Sequence, residues 1–173
     1  MGQAVYLGLC LLGCLIFNPV VEGAKNGTAA GRARCAPGAL YYKQFCYIFN
    51  SYFVSWHLAE VTCQGLNTGP ESHLVSILFA NEGKIISSYL SKKGISDIWI
   101  GLEATRSNGY MVWEWSDVSP LSLPLWDGRT LSSAISANEC VSMTNIRNTN
   151  AQKWLQRACN DTLPFLCKYR AEY

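Results

Sequence analysis

The chain is short of the groups from which catalytic centres are built. It holds two histidines in 173 residues, His57 on an expected helix and His73 beside an expected strand, and no Ser/His/Asp set assembles around either. No pair among Asp97, Asp117, Asp127 and Glu139 carries a glycosidase signature, so the sequence points away from an enzyme. No Cys-x-x-Cys pair occurs, and neither histidine stands at ligand spacing from a cysteine, which excludes thiolate zinc chemistry. An excess of one charge is missing too, the net charge being +2. Lys25, Arg32, Arg34, Lys92 and Lys93 are scattered and not interleaved with aromatic residues, so they read as solvated surface charge and not as a nucleic-acid groove. No internal repeat or second-domain pattern is visible, and the length suits one domain with one core.

What is present begins with an apolar stretch from Ala4 to Val21, followed by Val21-Glu22-Gly23-Ala24, where small residues suit a signal peptidase. The rival reading is a membrane anchor, since a run of about 18 apolar residues is at the lower limit for crossing a bilayer. Asn18 and Pro19 interrupt the run, and no basic residue flanks it on the Met1 side. We therefore expect residues 1–23 to be removed and the mature chain to be secreted, without membrane insertion. Removal takes one acidic residue, Glu22, and leaves the 14 basic residues, a balance too mild to attract nucleic acid.

Of eight cysteines, Cys10 and Cys14 leave with the leader. Cys35, Cys46, Cys63, Cys140, Cys159 and Cys167 remain, and an even set behind a secretory leader reads as a disulfide framework whose connectivity the count leaves open. Two sequons, Asn26-Gly27-Thr28 and Asn160-Asp161-Thr162, agree with an oxidising secretory route and mark Asn26 and Asn160 as glycosylation candidates.

Residues 24–34, rich in Ala and Gly, read as a flexible arm. Leu40 to Phe49 fits a hairpin with Gly38 and Lys43-Gln44 as punctuation. Ser55 can cap a helix on which Trp56, Ala59, Cys63 and Leu66 recur at helical spacing. A second helix is expected from about Phe79 to Lys93, with Ile85, Ile86, Tyr89 and Leu90 as its apolar face, Lys92 and Lys93 at the negative end of its dipole, and Gly94 as terminator. Short strands follow at Ile98 to Leu102 and at Tyr110 to Trp115, the latter behind an Asn108-Gly109 turn signal. Further strands are expected at Cys140 to Thr144, Lys153 to Cys159 and Phe165 to Tyr169. Two helices followed by a run of strands indicate an α+β domain with a mainly antiparallel sheet. Between Trp115 and Cys140 lie 24 residues rich in Ser, Leu and Pro; a connection of that length inside a small domain reads as functional.

Trp99-Ile100-Gly101-Leu102, the order of the six cysteines, Trp154 before Cys159, and Phe165-Leu166-Cys167-Lys168 resemble the C-type lectin-like domain over Cys35 to Tyr169. Cys35-Ala36-Pro37-Gly38 and the Cys167-Lys168-Tyr169 ending resemble its regenerating (lithostathine) group. The resemblance implies a domain over 35–173 with two helices, antiparallel sheets, a long loop, and three disulfides, Cys35–Cys46, Cys63–Cys167 and Cys140–Cys159. It also implies that Trp126 packs in the core.

Many members of that family hold a sugar through calcium, which needs about six to eight oxygen ligands. The family supplies them from a Glu-Pro-Asn or Gln-Pro-Asp triplet in the long loop, an acidic residue before the fourth cysteine, and an Asn-Asp pair after the tryptophan. Here the loop reads Ser119-Pro120-Leu121 and Leu123-Pro124-Leu125, and Trp154 is followed by Leu155-Gln156. Only Asn138 or Glu139 is left of that set, so no cofactor is expected and calcium-dependent sugar binding of the usual kind is not. Asp127, Arg129, Asn138, Glu139 and Gln156 are the candidates for holding a glycan without metal. The functions in view are a secreted carbohydrate-binding protein, a soluble signalling ligand for a cell-surface receptor, and a matrix or mineral-associated structural protein. Their partners would be glycans or a glycoprotein receptor. The mature chain offers no spare cysteine in the long loop for an interchain bridge, and a monomer is expected.

Overall fold

Lys43 and Gln44 both adopt positive φ, 45° and 71°, the geometry of a two-residue turn whose twist matches that of the flanking strands. They join β1 (Leu40–Tyr42) to β2 (Phe45–Val54). The structure, a computed structural model, describes residues 34–66, 71–121, 134–148 and 153–173. Within them follow α1 (Trp56–Gln64), β3 (His73–Leu74), α2 (Ala80–Ser91), β4 (Ile98–Ser107), β5 (Tyr110–Trp115), β6 (Glu139–Thr144), β7 (Lys153–Ala158) and β8 (Leu163–Arg170). The expected α+β class holds. The strands run in the order β1-β2-β8-β4-β6-β7, with β3 beside β8 and β5 beside β4. All pairings are antiparallel except β4 with β8, which meet in parallel at Trp99 and Phe165.

Successive residues on a strand face opposite sides of the sheet, and the two main clusters of buried side chains divide along β4 and β8 in that rhythm. Ile98, Ile100, Leu102 and Leu166 pack with Ile86 and Leu90 of α2. Trp99, Phe165 and Cys167 pack with Trp56, Ala59 and Cys63 of α1. Each helix thus covers one face, and β4 and β8 are buried on both, so Ile98 to Leu102 is buried without a break. Cys63 and Cys167, separated by 104 residues, tie α1 to β8; Cys140–Cys159 and Cys35–Cys46 complete the set, as the resemblance implies.

The helices and strands depart from the expected bounds in detail. Phe79 is the N-cap of α2, and Lys92 and Lys93 follow the helix in a turn that Gly94 closes at φ 76°. Ser55 occupies the N-cap of α1, but its side chain makes no capping hydrogen bond; the Trp56 amide instead donates to the Cys159 carbonyl at 2.9 Å. β4 runs five residues past the expected end at Leu102, to Ser107, because β5 pairs with it along its whole length through the Asn108-Gly109 turn. β3 is too short to leave a periodic signal. Arg34, expected at the end of a flexible arm, forms a bridge with Glu172, its amide donating to the Glu172 carbonyl at 2.8 Å.

The Trp99-Ile100-Gly101-Leu102 motif has a steric reason. Trp99 Nε1 donates to the Val54 carbonyl at 2.9 Å, and Trp56 Nε1 to the Ile100 carbonyl at 2.8 Å. Gly101 donates to the Val75 carbonyl and accepts from the Ser116 amide, at 2.9 and 2.7 Å. A Cβ on Gly101 would lie 2.7 Å from the Leu74 carbonyl oxygen and 2.8 Å from Ser116 Oγ. Gly101→Ala therefore forces the 74–75 segment away from β4 and is expected to cost about 1–3 kcal/mol of stability, read as a lower midpoint in denaturant with an unchanged slope.

Candidate functional site

The long loop leaves the sheet at Trp115 and returns at Glu139, and side chains fix both ends. Ser116 Oγ donates to Glu60 Oε2 at 2.9 Å, and Ser76 Oγ donates to the Asp117 carboxylate. Asp117 also accepts from the Ser119 amide at 3.0 Å. On the return side, Glu139 Oε2 accepts from the Ile135 amide at 3.0 Å. The Asn138 carbonyl accepts from the Cys159 amide at 3.1 Å, next to the Cys140–Cys159 cross-link.

Three of the five candidate ligand residues lie among those described. Asn138 is exposed at the head of β6; Glu139 and Gln156 are half-buried on β6 and β7. In the β6–β7 register Glu139 faces Ala158 and Val141 faces Gln156, so Glu139 and Gln156 share one side of the hairpin with Trp154. Trp154 meets Trp115 edge-on, with ring centroids 5.4 Å apart. Asp127, Arg129, Trp126 and the sequon residue Asn26 lie outside the described residues.

Two residues that sequence reasoning passed over organise the base of this region. Glu60, 7% exposed, accepts from the Leu74 amide at 2.9 Å and from Ser116 Oγ, and meets His73 Nδ1 at 2.6 Å. Glu82, 4% exposed, accepts from Lys168 Nζ at 2.8 Å, Tyr47 Oη at 2.6 Å and the Leu78 amide at 2.8 Å. Burial, reinforced by the Glu82 carboxylate, pushes the Tyr47 phenol well up, so it stays protonated and donates. The signal was in the sequence: Glu60 falls on the same stripe as Trp56, Ala59 and Cys63, and Glu82 on that of Ile86 and Leu90. A carboxylate on the buried face of a helix must have partners waiting for it.

This arrangement does not make a catalytic set. Ser116 and His73 both bind Glu60, so the carboxylate separates the hydroxyl from the imidazole and neither activates the other. A cavity of about 320 Å³ lined by Glu71, His73, Asp117, Lys168 and Arg170, among others, contains none of the expected ligand residues.

Among the described residues the donor set does not fit calcium. Glu139 contributes one carboxylate, which is already accepting from a backbone amide. Where the family places an Asn-Asp pair, this chain has Leu155-Gln156, and Leu155 is exposed. Among the described residues the one grouping with metal-ligand proximity is His57 with Cys140 and Cys159, whose sulfurs are bonded to each other and so offer no thiolate.

A two-faced sheet with a helix on each side, three cross-links and a loop pinned at both ends define a C-type lectin-like domain. A sequence profile of the Lectin C-type domain matches residues 53–169. Human lithostathine-1-alpha is 34% identical over 164 residues, 92% of this chain and 94% of that protein. Mouse regenerating islet-derived protein 3-gamma is 33% identical over 169 residues, 93% and 92% of the two chains. The crystal structure of human lithostathine matches with a TM-score of 0.66 at 32% identity, over 79% of this chain and 91% of that one. The chain belongs to the C-type lectin domain family, in its regenerating (lithostathine) group.

Glu103 supplies a pH test. It stands opposite Glu114 on β5 and Cys140 on β6, and burial, with the Glu60 and Glu114 carboxylates, pushes its carboxyl up to about 7. The charged form is thus disfavoured in the fold relative to the unfolded chain, so stability falls as pH rises from the ordinary carboxylate range through about 7. Because Glu103 is only half-buried, screening holds the effect to about 1 kcal/mol, or roughly 2–4 °C in Tm at this chain length. Glu103→Gln is expected to remove that part of the decline between pH 5 and pH 8. For the loop base, Glu60→Ala strands the Leu74 amide and Ser116 hydroxyl and is expected to cost about 3 kcal/mol, measured by chemical denaturation.

Proposed function

We propose that the protein is a secreted C-type-lectin-like protein that binds carbohydrate without the usual calcium site. The observation that carries this reading is the side of the β6–β7 hairpin on which Glu139 and Gln156 lie together beside Trp154, with exposed Asn138 at its head. That side also carries buried Val141 and Met143, against whose cluster Trp154 packs, so what its edge offers is an acceptor and an amide that both donates and accepts. Those are groups with which a protein holds sugar hydroxyls when no metal does so. Asp127 and Arg129, from the long loop, complete the ligand set in this reading. Secretion is supported by the apolar leader over residues 1–23 and by three disulfides, which persist in oxidising compartments. The domain proper runs from Cys35 to the end of the chain, is not catalytic, needs no cofactor and acts as a monomer.

The test is retention on a panel of glycans and polysaccharides, measured with calcium and with chelator. Retention is expected to be the same in both conditions within about twofold. Glu139→Ala together with Gln156→Ala is expected to weaken it by about tenfold, the loss of roughly two hydrogen bonds' worth of net binding. Binding that appears only with calcium, or none on any glycan, would reject the reading. Saturable cell binding that survives removal of cell-surface glycans would support a receptor ligand instead.

A further inference from the structure

The turn between β7 and β8 carries the sequon Asn160-Asp161-Thr162, and all three residues are exposed. It is tied from behind, the Asp161 amide donating to the Ala158 carbonyl at 3.0 Å and Cys159 being cross-linked to Cys140.

Beside this turn the fold exposes a group of large apolar side chains. The β2–β8 ladder is regular from Phe45 to Asn50, then resumes only at Val54 with Leu163. Ser51, Tyr52 and Phe53 stand against Pro164 alone and bulge outward. Tyr52 is 73% and Phe53 68% exposed. The chain then enters α1, where Leu58 and Val61, 53% and 61% exposed, lie on the outward side. The turn borders this surface: the Trp56 amide donates to the Cys159 carbonyl at 2.9 Å, and a ring nitrogen of His57 lies within 4.8 Å of the Cys159 sulfur.

We propose that Asn160 bears an N-linked oligosaccharide whose core sugars fold back over Tyr52 and Phe53, so that a covalent glycan covers this apolar surface. An exposed Asn with a hydroxyl residue two positions on is the acceptor the modification needs. A pyranose presents a C–H face to an aromatic ring and hydroxyls to water, so one sugar layer converts an apolar patch into a hydrated one. Attachment at the border of the patch makes the contact intramolecular, and a weak sugar–aromatic contact is then populated by its effective concentration alone. The covering needs no partner and is independent of how the β6–β7 side binds its ligand.

The test uses the full chain made in secreting eukaryotic cells. Treatment with peptide-N-glycosidase is expected to lower its mass, and Asn160→Gln and Thr162→Ala are each expected to remove the same increment, while Asn26→Gln reports the other sequon separately. Enzymatic deglycosylation of Asn26→Gln, which leaves only the Asn160 glycan to remove, is expected to lower Tm by roughly 2–4 °C. In the same protein carrying Tyr52→Ser and Phe53→Ser the drop is expected to be less than half as large, the coupling expected of groups in contact. No glycosidase-sensitive mass at Asn160 would overturn the proposal. So would equal drops in both backgrounds, or self-association of the glycosylated protein that the Tyr52→Ser and Phe53→Ser changes abolish.

Discussion

Burial of β4 and β8 on both faces is the constraint from which the rest of the structure follows. A strand with water on one side can discard its polar neighbours into solvent; these two cannot. Every segment that crosses them must therefore arrive with its backbone groups already matched. The 73–78 segment meets that demand by pairing with β8 through His73 and Leu74 and by bonding to β4 and β8 through Val75, whose amide donates to the Leu166 carbonyl and whose carbonyl accepts from Gly101. The absence of a side chain at Gly101 is what lets that segment lie so close.

The helices complete the matching with charge. Glu60 from one face and Glu82 from the other each reach a polar group that the sheet would otherwise strand. Lys168 sits on β8 at 6% exposure, and its ammonium is held by Glu82, the Ser76 carbonyl and Ser76 Oγ, with the Phe45 ring 4.6 Å away. An ion pair so deep adds little net stability when set against well-packed apolar residues, but breaking it leaves an uncompensated buried charge. Its effect is to fix position: Ser76, held by Lys168, in turn holds Asp117, and Asp117 stands at the start of the long loop. Core and loop are thus coupled through three side chains.

Much of this was legible in the sequence, and the part that was not has a physical reason. The alternating Tyr110 to Trp115 strand, the Asn108-Gly109 turn and the 3.6-residue stripe of α1 are local signals, and they mark the elements to within a residue or two. The disulfide pairing came from a resemblance, because spacing alone does not choose among partners a hundred residues apart. What local patterning missed depends on distant neighbours: the extension of β4 to Ser107 requires β5, the two-residue β3 exists only against β8, and the distant partners of Glu60 and Glu82 come from β2, β3, β8 and the segments between elements. For the candidate ligand residues the structure gives placement alone. Asn138, Glu139 and Gln156 do come to one end and one side of the β6–β7 hairpin, whereas Asp127 and Arg129 belong to residues 122–133, outside the described structure.

That division between a legible frame and a less legible loop follows from how the loop is held. Closing a connection costs an entropy that grows only slowly with its length, so a long loop is tolerated once its two ends are fixed. Here the departing end is fixed by Ser116 and Asp117 and the returning end by Glu139 and the Cys140–Cys159 cross-link. Each of these groups is already engaged within the fold. A loop anchored in this way can exchange the oxygens of a calcium site for Ser, Leu and Pro without loss of the scaffold. Because the frame does not depend on the composition of the loop, the frame alone identifies the family.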